Sequence, residues 1–210
     1  MKVFLIILYT IAAVVAWDYL LFVQVWPGSW INDDHTNNTF NNSYFTIHGI
    51  WPEYYNNSWP QYCTHEHFNF TAIAPIHRQL EQLWTDFKNP RAFWVHEFTK
   101  HATCAEDDPL LATEFTFFAT GLALRNKYNL FAILNNSSIV PSNQVKYPTS
   151  KVEDVLNVAL GYQIVLVCDE NDILNEIRVC LDRNLAPFDC PQSEIKSAGC
   201  TLPYIIMNSV

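Results

Sequence analysis

The sequence predicts an α+β fold: a mostly antiparallel central sheet with several helices packed around it, stabilised by disulfides. Three observations carry that prediction. Strand-like segments rich in β-branched and aromatic residues lie at 17–27 and 44–52 near the start, and at 162–168 and 172–182 near the end. Helical apolar stripes fill the middle, and this segregation argues against alternating βαβ units. Six cysteines follow a leader-like N-terminus, the usage of an oxidising compartment.

The elements follow in order. The chain opens "MKVFLIILYTIAAVVAW", with Lys2, an apolar run from Val3 to Leu8 and small residues up to Ala16. This reads as a secretory signal peptide, residues 1–16, with the cut expected after Ala16; the run is shorter than the roughly 20 residues of a membrane span. Residues 17–210 then form one domain, with no linker, repeat or low-complexity tract. "WDYLLFVQVWP" (17–27) reads as a buried strand stopped by proline, 31–43 as a polar loop and "YFTIHGIWP" (44–52) as a second strand. "PIHRQLEQLWTDF" (75–87) places Ile76, Leu80, Leu83, Trp84 and Phe87 at helical spacing behind a proline. Further helices are read at 90–103, 109–127 and 149–160, the last opening on a capping pattern. "YQIVLVC" and "DILNEIRVCLD" are strands joined by the turn "DEND".

Charge and cysteines limit the function classes. The formal net charge is −9, or −10 once Lys2 leaves with the signal. Such a surface repels a polyanion at long range, so a nucleic acid would need a local cationic site or an acidic pH. Cys63, Cys104, Cys168, Cys180, Cys190 and Cys200 contain no C-x-x-C pair, which favours three disulfides over zinc. Their pairing is left open by the count. Sequons at Asn37, Asn41, Asn56, Asn69, Asn135 and Asn136 mark glycan-bearing surface loops and support secretion without naming a function.

The chemistry concentrates in "FWVHEFTKHATC" (93–104). On a helix, residues four apart share a face, so His96 sits over Lys100 and Glu97 over His101. The two histidines are five apart, roughly 140° around the axis, which is unlike the H-E-x-x-H zinc motif, and no metal is expected. Histidine, lysine and carboxylate together suit a phosphodiester: the imidazole moves a proton, lysine neutralises a phosphoryl oxygen and the carboxylate orients its neighbours. A base and an acid on opposite sides of phosphorus require a second imidazole. His48 in "FTIHGIWP" is the candidate, with Gly49 permitting close approach and Trp51 offering a surface on which a base can stack. A satisfied strand histidine and a core tryptophan are the plainer alternatives.

"FTIHGIWPE" and "FWVHEFTKHATC" resemble the two active-site segments of the ribonuclease T2 family, secreted or lysosomal acid endoribonucleases. The similarity extends through "FVQVWPGSW", "RNKYNLFAIL" and "EIRVCLDRNLAPFDCP", over nearly the whole mature chain. It implies a metal- and cofactor-independent endoribonuclease that cleaves single-stranded RNA by 2′-hydroxyl transesterification, leaving 2′,3′-cyclic phosphate ends. His101 is implied to be the general base and His48 the general acid. His96 would bind phosphate, while Lys100 and Glu97 stabilise the transition state. Trp51 and Phe93 would flank bases, with Glu53 at a base edge. DNA, lacking the 2′-hydroxyl, would be inert. The resemblance also implies the disulfides Cys63–Cys104, Cys168–Cys200 and Cys180–Cys190, a secreted or lysosomal/vacuolar destination free of the membrane, and a monomer.

This chain departs from the family pattern at Ile50, Phe98 and Ala102, all of similar size class to the residues they replace. A common N-terminal disulfide is missing, and Val25 stands where many relatives carry a base-reading glutamine, so base preference is open. Among other candidates, "CTHEHF" (63–68) with His65 and His67 reads as a solvated loop and His77 as the polar side of its helix. "EDD" (106–108) reads as a solvated turn capping the next helix. The competing function is a secreted RNA- or glycan-binding protein on the same fold without turnover. All five implied catalytic positions are filled, which favours the enzyme.

Overall fold

The computed structural model describes residues 17–32 and 43–209, so the expected signal peptide, His35, the sequons at Asn37 and Asn41 and most of the 31–43 loop lie outside the described residues. In chain order the elements are β1 (Tyr19–Val25), α1 (Pro27–Asn32), β2 (Thr46–Glu53), α2 (His77–Leu83), α3 (Pro90–Lys100), α4 (Glu114–Lys127) and α5 (Leu130–Asn136). Then follow β3 (Lys146–Pro148), α6 (Thr149–Leu160), β4 (Val165–Cys168), β5 (Leu174–Leu181), α7 (Gln192–Ala198) and β6 (Tyr204–Ile206). Four strands make an antiparallel sheet in the order β2-β1-β5-β4, and β3 pairs with β6 in a separate two-stranded ribbon.

Both faces of this sheet are covered, and the sequence of β1 reflects it: all seven residues, Tyr19 to Val25, are buried. One face carries the larger core, in which Phe22, Ile47, Ile50, Ile177 and Val179 meet Trp84, Trp94, Phe98, Phe117 and Phe118 from the helical layer. Each such side chain contributes roughly 1.5–3 kcal/mol on burial. The other face holds a smaller apolar cluster of Tyr19, Leu21, Val23, Val165 and Cys180, bordered by Trp51. Disulfides join Cys63 to Cys104, Cys168 to Cys200 and Cys180 to Cys190.

Several element boundaries differ from the sequence reading for local reasons. The helix read at 75–87 is a 3₁₀ turn at Ala74–Ile76 followed by α2, which stops before Trp84. The helix read from residue 109 begins at Glu114, because Thr113 and Thr116 form a reciprocal capping box. "EDD" therefore does not cap it: Asp107 accepts from the Trp17 indole and pairs with Arg183. The helix at 149–160 is present but lacks the expected cap, since Thr149 donates its hydroxyl to the Leu202 carbonyl. It ends at Gly161, whose φ of 83° supplies the left-handed C-terminal turn. Proline at 27 ends a strand as expected and also starts α1. Among the described residues no helix is long and apolar enough to cross a membrane.

Candidate active site

The site begins with an irregularity in β2. Against β1, Val23 pairs with Gly49 and Gln24 with Ile47, so His48 is the extra residue of a β-bulge. In a regular strand His48 and Trp51, three apart, would point to opposite faces. The bulge brings both rings to one side, 4.8 Å apart and edge to face. A tryptophan relay fixes the bulge: Trp94 Nε1 donates to the Trp84 carbonyl at 2.6 Å, and Trp84 Nε1 donates to the His48 carbonyl at 2.8 Å. Gly49 must lack a side chain here, because a Cβ would run into Glu97 Oε2 and Trp51 Nε1.

Helix α3 delivers the rest. Asn89 caps it by accepting from Ala92 N–H, and Pro90 occupies its first turn. Trp94, Glu97 and Phe98 share the inward face by the i, i+3, i+4 rule, which takes the Glu97 carboxylate into the interior at 1% exposure. Glu97 Oε2 accepts from Trp51 Nε1 at 2.9 Å, so its partner is the indole rather than the His101 expected from helical spacing. The helix ends at Lys100; His101 is its C-cap and Ala102–Cys104 tighten into a 3₁₀ turn. Because of that exit His101 stacks on Trp51, with ring centroids 5.3 Å apart, and lies 6.5 Å from His96 despite the five-residue spacing. The Cys63–Cys104 disulfide and the Tyr62 N–H to Lys100 carbonyl bond hold the end of the helix against the loop that follows β2.

Phe93 lies 5.6 Å from the His48 ring, and Trp30 stands edge-on to His48 at 5.0 Å. A cavity of about 320 Å³ opens beside the His101 imidazole, lined by Trp51, Glu53, Trp59, Lys100, His101, Arg178 and Glu194. The site thus gathers all eight residues singled out from the sequence: His48, Trp51, Glu53, Phe93, His96, Glu97, Lys100 and His101. A larger groove of about 500 Å³ between α5 and α6, lined by Ile133, Val155 and Val158, holds none of them. Among the described residues no group of three or more His, Cys, Asp or Glu side chains is arranged to hold a metal. His65 and His67 are exposed, and Val25 is fully buried in β1.

Burial sets the protonation of the cluster. It holds the His101 imidazole down at about 2, with Lys100, His96 and His48 acting the same way, so His101 is neutral across the working range. It pushes Glu97 up to about 7 against the opposing pull of His48, the Trp51 hydrogen bond and Lys100. Glu53 rises to about 8, through burial and the nearby Glu194 charge. His96 is lowered by partial desolvation, then by Lys100 and His48.

Two residues that the sequence reading passed over complete the cluster. Glu176 and Arg178 of β5 face the site: Glu176 Oε1 meets His48 Nδ1 at 2.6 Å, and Arg178 bonds Glu176 Oε2 through Nε and Nη2 at 3.1 and 2.9 Å. Their spacing of two within a strand was the available signal, since it puts both on one face.

Comparison with known proteins agrees with this architecture. Residues 17–190 match the model of the Ribonuclease T2 family. Ribonuclease DdI of Dictyostelium discoideum is 34% identical over 176 residues, covering 83% of this chain and 78% of the relative. Ribonuclease T2 of Danio rerio is 32% identical over 197 residues, covering 90% and 79%. Among solved structures, trichomaglin, described as a novel S-like ribonuclease, superposes with a TM-score of 0.78 at 27% identity over 91% of this chain and 98% of its own. RNase NT in complex with 5′-AMP gives the same TM-score, identity and coverage. The chain belongs to the ribonuclease T2 family and is an endoribonuclease of that type.

Proposed function

We propose that this protein cleaves single-stranded RNA without a metal, by transfer of the phosphoryl group to the neighbouring 2′-oxygen, and that His48 and His101 are the acid and base. The observation that carries this reading is their shared contact with Trp51, which keeps the two ring centroids within about 10 Å of each other. One phosphodiester can bridge that span. His101, neutral through burial, takes the proton of the 2′-hydroxyl as the 2′-oxygen attacks phosphorus. The bond from phosphorus to the 5′-oxygen breaks, and His48 as imidazolium gives that oxygen its proton. The products are a 2′,3′-cyclic phosphate and a free 5′-hydroxyl.

His96 and Lys100 contact the phosphoryl oxygens, Lys100 as a point charge. Glu97, neutral in acid, supplies hydrogen-bonding stabilisation as charge builds on phosphorus. The cavity beside Trp51 and Glu53 receives a base, and Phe93 flanks its neighbour. DNA is not cleaved, for want of the 2′-hydroxyl. Three disulfides and exposed sequons at Asn56, Asn69, Asn135 and Asn136 support passage through the secretory pathway to an extracellular, lysosomal or vacuolar site, where the protein acts as a monomer.

The test is incubation of the purified protein with single-stranded RNA in chelator. Cyclic-phosphate-ended fragments are expected, with His48→Ala and His101→Ala each slower by roughly 10²–10⁴. Intact RNA, or full activity in either variant, rejects the assignment.

A further inference from the structure

The proposed reaction leaves Glu176 and Arg178 unused, although they are the best-anchored polar groups in the cluster. We infer that Glu176 is a positioning residue for the leaving-group acid: it holds His48 through Nδ1 so that Nε2 is the ring nitrogen presented to the departing 5′-oxygen. This rests on the acid role of His48 in the proposed function.

Geometry carries the argument. Glu176 lies on β5 with a side chain 6% exposed, and its Oε1 is 2.6 Å from His48 Nδ1. A carboxylate accepts but cannot donate, so an ionised Glu176 places a proton on Nδ1 and fixes which nitrogen can face substrate. Arg178 keeps the carboxylate ionised: two of its nitrogens bond Oε2, and its Nη1 bonds Glu194 Oε1 at 2.8 Å. His48 and Arg178 together hold Glu176 below the usual carboxylate range despite its burial.

The same strand also shapes the surroundings of the ring. Asn175, next in sequence, accepts from Trp30 Nε1 at 3.0 Å, and Trp30 stands edge-on to His48. Trp51 and Phe93 border the ring from two other elements. The imidazole of a bulge residue on an edge strand is thereby bonded to a carboxylate two strands away. A bond linking two strands with β1 between them suits the placement of a group that must be oriented, because it resists rotation of the ring from outside its own backbone.

The experiment compares two leaving groups. An alkoxide, as in RNA, needs a proton to depart; 4-nitrophenolate does not. Wild type, His48→Ala, Glu176→Ala and the near-isosteric Glu176→Gln are assayed on single-stranded RNA and on a mixture of the four nucleoside 3′-(4-nitrophenyl phosphates), with thermal unfolding to confirm that each variant is folded. Loss of Glu176 is expected to lower kcat on RNA about 10–100-fold, while turnover of the nitrophenyl esters stays close to wild type. His48→Ala is expected to show the same selectivity. Equal losses on both substrates in folded Glu176→Ala, or full RNA cleavage by it, overturn the inference and leave the proposed function standing; Glu176→Gln, whose amide oxygen can still accept from Nδ1, is expected to recover part of the rate on RNA. A wild-type protein inactive on both substrates overturns the two together.

Discussion

Trp51 touches His48, His101, Glu97 and Arg178, and two explanations of its presence make different predictions. Its indole N–H donates to the buried Glu97 carboxylate at 2.9 Å while its ring stacks on His101 at 5.3 Å. If Trp51 is chiefly a scaffold for Glu97, Trp51→Phe keeps an aromatic ring and removes the one donor. Above about pH 7, where Glu97 is ionised, a hydrogen bond to this buried group is worth about 1.5–3 kcal/mol, or roughly 10–150-fold in kcat/KM at about 1.4 kcal/mol per factor of ten. The decisive assay is a double-mutant cycle with Glu97→Ala, which removes the acceptor that glutamine would keep, measuring kcat/KM above pH 7 on a defined single-stranded RNA together with denaturant unfolding. A scaffold role predicts that the second substitution costs much less in the presence of the first, with a coupling of at least 1.5 kcal/mol or so. A role confined to base stacking predicts a rise in KM that is independent of Glu97. Additivity within about 0.5 kcal/mol would refute the hydrogen-bond argument.

Other expectations follow from burial and cross-linking. Since His101 is held down at about 2, the acid limb of kcat/KM should lie well below 6.5, the ordinary imidazole value; a limb near 6.5 in a profile from pH 3 to 9 contradicts a buried neutral base. Glu53 has a folded-state pKa raised to about 8, so its contribution to stability is complete below about 4.5 and lost as pH rises towards 8. Glu53→Gln should therefore flatten the fall of unfolding free energy between pH 4.5 and 8.5 by a few kcal/mol, and parallel curves for variant and wild type would exclude that linkage. The Cys63–Cys104 bridge spans 41 residues, for which loop-closure entropy gives about 4 kcal/mol. Replacing both cysteines by serine should lower the unfolding free energy by an amount of that order and loosen the end of α3, seen as a lower Tm and reduced kcat; an unchanged Tm would show that the loop is already fixed by other contacts.

Much of this arrangement could be read in the sequence, and the unread parts share a cause. The four strands of the sheet and helix α3 announce themselves through local composition, as do the residue types around His48 and His101. The bulge does not: nothing in "FTIHGIWP" states that His48 is the unpaired residue, because register is decided by what β1 offers across the sheet. Glu176 and Arg178 alternate with apolar neighbours as an ordinary solvent-facing pair would, and it is the bulged His48, reaching Glu176 from across β1, that makes them part of a site. Helical spacing paired Glu97 with His101, but the chain leaves the helix at Lys100, and that exit rather than the four-residue spacing sets His101 against Trp51. The short ribbon of β3 and β6, three residues each, and helix α7 are too brief to carry a periodic signal.

The acidity of the chain and its polyanionic substrate are reconciled by the same burial that tunes the histidines. A formal charge of −9 would repel RNA if the site shared it. Glu97 and Glu53 border the catalytic groups, yet their raised values of about 7 and 8 keep both neutral in acid. Glu176 is ionised, but its charge is taken up by Arg178 and by the imidazole it holds. The Glu194 charge at the cavity is likewise met by Arg178, at 2.8 Å, so Lys100 is left facing the cavity to attract a phosphate that the outer surface would turn away. As pH rises through 7 and 8 those two carboxyl groups ionise in turn and add negative charge at and beside the cavity. Such a site is expected to prefer acid through substrate electrostatics as much as through the acid and base, because of how deeply β2 and α3 bury Glu53 and Glu97.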